Sequence, residues 1–157
     1  MAIGFLGIGS NKGDRAANLE KALGLLRENK EIEILAVSDF VETDPVGNIH
    51  QGKFLNGALK IKTGLLPLEL LSQLKMIERR LGRPAAPEPN SPRPMDLDIL
   101  FYDDVVIVEG KSLTIPHPRL AEREFVLKPL LQIAPDLVHP KLQQSIQELY
   151  DRLLCKS

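Results

Sequence analysis

The sequence predicts an α+β fold, helices packed on an antiparallel-rich sheet, and three observations predict it. Apolar residues alternate or run continuously along four segments and recur at helical spacing along two others. The two kinds of segment interleave in the order strand, helix, strand, strand, helix, strand, and turn-forming residues separate them. The run from Ala2 to Ile8 reads as a buried strand ending in the turn "GSNKGD". Asp14 is placed to cap the helix that follows, whose apolar positions are Leu19, Ala22, Leu23 and Leu26. Residues Glu31 to Thr43 alternate in their first half and are rich in β-branched residues, so they read as one long strand leading into the turn "DPVGN" and a flexible stretch through Gly52.

The segment "KFLNGALKIKT" is the third strand, expected antiparallel to the second, with Phe54, Asn56, Ala58 and Lys60 on one face and Leu55, Leu59 and Ile61 on the other. Pro67 suits the first turn of a helix reaching Leu81, with Leu70, Leu71, Leu74, Ile77 and Leu81 as its stripe and Gly82 as its stop. Residues 82–95 carry five prolines and no apolar period, the composition of a long functional loop. The fourth strand is Asp96 to Tyr102, with Asp96 and Asp98 on one face and Leu97, Ile99 and Phe101 on the other, followed by a hairpin through "DD" or "EG". A helix over "FVLKPLLQIA" and another from about Ser145 to Leu154 complete the chain. This order is that of a ferredoxin-like sandwich with extra elements, expected as a single domain over residues 1–157.

The 157 residues suffice to bury a core without disulfides. A net charge of -1 gives no electrostatic case for nucleic acid or an acidic membrane, so a polyanionic ligand must be held by local cations. One cysteine, Cys155, excludes an intrachain disulfide and suits a reducing cytoplasm, and the N-terminal apolar stretch is too short and too glycine-rich for a signal peptide or a span.

The segment "RPMDLDILFYDD" poses the chemical question. Asp96 and Asp98 lie about 6.5–7 Å apart along one strand face, a costly pairing of like charges unless cations sit between them. Divalent magnesium is the natural candidate, since it takes one or two carboxylates together with substrate phosphates. Exposure on an edge strand, or pairing with Arg93, is the simpler alternative for an isolated Asp-x-Asp. Its surroundings favour phosphoryl chemistry, because Arg83 and Arg93 flank the proline-rich loop, where they either supply guanidinium groups for phosphates or stand as solvated surface charges. Arg79 and Arg80 read as a solvated helix face. His117, between two prolines, is a stiffly held imidazole that can donate to a phosphate or bond a backbone carbonyl, and Arg119 or Arg123 beside it can contact phosphate. His50 and His139 carry no assignment. A P-loop is absent, and "GIGSNKG" misses the dinucleotide fingerprint by one residue.

These residues resemble the 6-hydroxymethyl-7,8-dihydropterin pyrophosphokinase family. "RPMDLDILFYDD" is similar to its signature, and "GIGSN", "ETDPVG", "FLNGAL" and "LTIPHPRLAEREFVLKPLLQIAPDL" match it in order over nearly the whole chain. The resemblance implies a ferredoxin-like core and transfer of pyrophosphate from ATP to the pterin hydroxymethyl oxygen, releasing AMP, in folate synthesis. It implies that Asp96 and Asp98 hold two Mg²⁺ ions, that Arg83 and Arg93 reach the phosphates, and that His117 and Arg123 contact the nucleotide. For the pterin it implies a slot between Phe54 and Phe125, hydrogen bonds from Thr43 and Asn56, and a contact from the Val46 backbone.

The sequence departs from the family in lacking a Trp and a second Arg in "PAAPEPNSP", in having Pro118 after the histidine, and in having Ser112 where some members carry an arginine. Lys111 can stand in for the latter. The implied partners are ATP and the pterin, with no nucleic acid, membrane or obligate protein partner, and the length argues against a fused enzyme. Two other readings share the core: a non-enzymatic ligand-binding module, which needs no paired aspartates, and a nucleotidyltransferase, which releases pyrophosphate instead of AMP.

Overall fold

A computed structural model describes residues 1–43, 53–82, 94–110 and 112–155 of the chain. At its centre is β1 (Ala2–Ser10), flanked on one side by β4 (Phe54–Thr63) and on the other by β5 (Asp96–Tyr102), both antiparallel to it. β2 (Ile32–Val37) pairs with the outer side of β4, giving the order β2-β4-β1-β5. That is the ferredoxin-like arrangement the element order predicts. The segment expected to be one strand from Glu31 to Thr43 is two. After β2 the chain breaks at Ser38, whose hydroxyl accepts the Ala58 N–H at 2.8 Å, and it resumes as β3 (Val41–Thr43) on the same β4 partner.

α1 (Arg15–Glu28) begins where expected, with the Asp14 carboxylate accepting the Ala17 N–H at 3.1 Å. α2 (Pro67–Arg80) has Pro67 in its first turn, and Gly82 follows it at φ +101°, the left-handed backbone that stops a helix. These two helices cover one face of the sheet. Leu6, Ile8, Leu59, Ile61, Leu97 and Ile99 from the strands pack there with Leu19, Leu23, Leu26, Leu70, Leu74 and Ile77.

The opposite face is covered by α3 (Glu124–Ile133) and α4 (Ile146–Cys155), and Phe5, Ala58, Leu100 and Phe101 pack with Leu127, Leu130, Ile146 and Leu149. Phe101 departs from the expected alternation and belongs to this second core. The β1–β5 register slips between Phe5 and Leu6, which face Phe101 and Ile99, so Leu100 is an extra residue on β5. A bulge of this kind turns the strand, and Phe101 then meets Phe5 edge-on at 6.3 Å. The hairpin after β5 forms between β6 (Ile107–Glu109) and β7 (Leu113–Ile115), with Gly110 at φ +58°. Among the described residues no helix is long and apolar enough to cross a membrane.

Candidate active site

The α3/α4 core covers only part of its face. Toward the C-terminal end of β1 the strands present polar side chains instead, and register decides which ones meet. Gly9 of β1 is paired with Asn56 of β4 on one side and Asp96 of β5 on the other. One pair nearer the centre, Ala58 and Asp98 flank Gly7. Ala58 and Leu100 belong to the α3/α4 core, so Asn56, Asp96 and Asp98, which alternate with the other core, share its side of the sheet. Neighbouring strands lie about 4.8 Å apart, so Asn56 and Asp96 stand roughly two spacings from each other across a residue without a side chain.

On the Asn56 side, Thr43 pairs with Phe54 across β3 and β4, and the Asn56 Nδ2 donates to the Thr43 hydroxyl at 2.7 Å. Asn56 is buried, whereas Phe54 and Phe125 are half-buried and keep ring surface open. Thr43 and Phe125 line one cavity of about 360 Å³ together with Glu42, Lys53, Glu124 and Lys128. All four described residues expected at the pterin are thereby joined by a ladder pair, a hydrogen bond or a shared cavity. The Arg123 guanidinium lies over the Phe125 ring, 5.5 Å from its centroid, linking this side to the next.

On the aspartate side, β5 is the edge of the sheet, and Asp96 and Asp98 are half-buried on it. The His117 N–H donates to the Leu100 carbonyl at 3.0 Å, which brings the "PHPR" turn alongside β5. The His117 Nδ1 accepts the Arg119 N–H at 3.3 Å, so the neutral ring carries its proton on Nε2. Burial lowers the His117 pKa, Arg123 and Arg119 lower it further, and the attraction of Asp96 opposes them. A neutral imidazole, a carboxylate and a guanidinium are thus within electrostatic reach of one another. The pair of oxygen-donor carboxylates on one face suits a hard cation that keeps waters and phosphate oxygens as its remaining ligands. Among the described residues no group of three or more His, Cys, Asp or Glu forms a complete metal cage.

Arg83, Arg93, Val46 and Lys111 lie outside the described residues. Arg79 and Arg80 are exposed, as a solvated helix face requires.

Two residues that sequence reasoning passed over contribute to the site. Glu78 of α2 is 2% exposed, and its Oε2 accepts the N–H of Leu97, the residue between the two aspartates, at 2.8 Å. The Lys75 ammonium meets its other oxygen at 3.2 Å. The signal was a glutamate inside the apolar stripe, four residues after Leu74. Arg15, at the start of α1, donates to the Lys53 carbonyl at 2.8 Å and to the Glu42 carboxylate at 3.2 Å, tying the side chain beside Thr43 to the backbone beside Phe54. Nothing local to Arg15 announces that role.

A family model described as 7,8-dihydro-6-hydroxymethylpterin-pyrophosphokinase (HPPK) matches residues 5–135 of the chain. The 2-amino-4-hydroxy-6-hydroxymethyldihydropteridine pyrophosphokinase of Aquifex aeolicus is 44% identical over 148 residues, which cover 94% of this chain and 90% of that protein. The folic acid synthesis protein fol1 of Schizosaccharomyces pombe is 45% identical over 151 residues, 96% of this chain, so the chain spans about 20% of the length of that relative. Among solved structures, the wild-type HPPK-DHPS of Plasmodium falciparum shares the fold with a TM-score of 0.78 at 19% identity, covering 99% of this chain and 44% of that one.

Proposed function

This chain belongs to the 7,8-dihydro-6-hydroxymethylpterin-pyrophosphokinase family, and we propose that it transfers pyrophosphate from ATP to the hydroxymethyl oxygen of that pterin, a step of folate synthesis. The observation that carries the reading is the register placing Asn56 and Asp96 on either side of Gly9. A flat pterin held at Asn56 and a triphosphate held at Asp96 then meet over a residue with no side chain to separate them.

The pterin ring stacks between Phe54 and Phe125, while Asn56 and Thr43 pair with its polar edge and the Val46 backbone adds a contact. Asp96 and Asp98 would hold two Mg²⁺ ions, whose charge offsets that of the phosphates and the mutual repulsion of the carboxylates. Arg83 and Arg93 take the phosphate oxygens. Arg123 and Lys111 contact the nucleotide, and His117 donates its Nε2–H to it. The hydroxymethyl oxygen attacks the β-phosphorus in line, its bond to that phosphorus forms as the bond from the β-phosphorus to the α,β-bridging oxygen breaks, AMP leaves with that oxygen, and the hydroxyl proton passes to water. Positioning and charge neutralisation supply most of the rate enhancement in such transfers.

Product analysis tests this reading. Purified protein mixed with ATP, Mg²⁺ and 6-hydroxymethyl-7,8-dihydropterin is expected to form AMP in step with the pterin diphosphate, and to stop when the metal is chelated. Pyrophosphate release from ATP would point to a nucleotidyltransferase, and ATP binding without AMP to a binding module.

A further inference from the structure

We propose that Gly9 is a positioning residue for the pterin, acting through the Asn56 amide by leaving empty the space into which that amide turns. This rests on the reading of Asn56 as the pterin's partner. A Cβ built on Gly9 would stand 2.5 Å from the Asn56 Oδ1 and 3.6 Å from the Leu55 carbonyl oxygen. The first distance is far inside van der Waals contact, so an alanine there requires the amide to move.

The amide cannot move freely. Asn56 is 8% exposed and its Nδ2 is bound to the Thr43 hydroxyl at 2.7 Å. Turning Oδ1 away rotates Nδ2 with it, since both belong to one planar group, and breaks the Thr43 bond in a site with little water to replace it. Gly7 of the same strand faces the same side of the sheet, and the nearest atoms a Cβ there would meet belong to the Leu100 side chain, at an ordinary 3.5 Å. The absent side chain therefore fixes the direction of a hydrogen-bonding group on the neighbouring strand, and with it the edge offered to the heterocycle.

The test is a double-mutant cycle of Gly9→Ala and Asn56→Ala, read by titration of 6-hydroxymethyl-7,8-dihydropterin in the presence of Mg²⁺ and a non-hydrolysable ATP analogue, and separately by titration of the analogue alone. Gly9→Ala is expected to weaken pterin binding by about ten- to a hundredfold, the cost of a lost buried hydrogen bond, with analogue binding changed by less than about twofold. In the Asn56→Ala background the same substitution should weaken pterin binding no further. Wild-type pterin affinity in Gly9→Ala, or an equal loss in both backgrounds, would overturn the role of Gly9. Should Gly9→Ala fail to fold, recovery of folding in the double variant supports the proposal, and failure of both overturns it. Folded wild-type protein that binds no pterin defeats the functional reading and this proposal with it, whereas additive losses in a pterin-binding protein defeat the role of Gly9 alone.

Discussion

The two faces of the central sheet are built from the same strands and do opposite work. On the α1/α2 face, Leu6, Ile8, Leu59, Ile61, Leu97 and Ile99 close a continuous aliphatic core. On the α3/α4 face, the same strands supply a core of Phe5, Ala58, Leu100 and Phe101 and then give way to Gly9, Asn56, Asp96 and Asp98. In β5 the division runs residue by residue, since Leu97 is fully buried between two half-buried aspartates. The contrast teaches that one face can hold the other still. Polar groups on a rigid backbone need no rearrangement to meet a charged substrate, and their solvation cost is met by the core behind them.

Substitutions in β5 should separate the two faces. Leu97→Ala opens a cavity in the aliphatic face and is expected to lower unfolding free energy by about 2–5 kcal/mol in urea denaturation, with activity per folded molecule far less affected. Asp98→Ala should do the reverse: kcat/KM falls by about 10²–10³-fold while stability moves by about 1 kcal/mol or less. An Asp98→Ala protein that is fully active, or that unfolds as readily as Leu97→Ala, would break the comparison.

Glu78 sharpens the comparison because it reaches from the core side to the peptide between the aspartates. Removing its carboxylate in Glu78→Ala is expected to cost about 1–3 kcal/mol of stability and also to weaken Mg²⁺-dependent binding of an ATP analogue. Glu78→Gln keeps an oxygen that can accept the Leu97 N–H and should recover most of both. A glutamine variant as defective as the alanine one would show that the bond to Leu97 is not what matters.

The smallest effect is a pH dependence shared by one histidine at the site and one in the second core. Burial, then Arg123 and Arg119 against the pull of Asp96, lowers the His117 pKa, and burial with Lys141 lowers that of His139. His139 is packed edge-on to Phe101 at 5.6 Å, and its Nδ1 accepts the Lys141 and Leu142 N–H groups. Both rings therefore stay neutral in the fold below the pH at which unfolded histidine, with a pKa of about 6.5, takes up a proton. The unfolded chain then binds more protons, so this contribution to stability is complete above about pH 6.5, is lost as pH falls from there, and levels off below the folded pKa values. Denaturation midpoints measured from pH 8 to pH 5 should show that decline, and it should be shallower in His117→Gln and His139→Gln. An unchanged slope in either variant would remove that histidine from the account.

Much of this was legible in the sequence. The helices at Asp14 and Pro67, the stop at Gly82 and the limits of the Asp96–Tyr102 strand follow from capping residues and periodicity, which act over a few residues. Motif and resemblance point to Thr43, Phe54, Asn56, Phe125, Asp96, Asp98, His117 and Arg123, and the structure brings these toward one end of one face. The missed features depend on distant partners. The break at Ser38 follows from how Ala58 is paired, the displacement of Phe101 from the bulge opposite β1, and the role of Glu78 from where α2 crosses β5.

Sequence alone therefore determined the kinds of elements, their order and the residue types that can do the chemistry, because propensity, periodicity and side-chain charge are local properties. Only the tertiary structure decided that Asn56 and Asp96 are neighbours across Gly9. Strand register is set by how both faces pack at once, and a slip of one residue would turn every one of these side chains to the other side of the sheet.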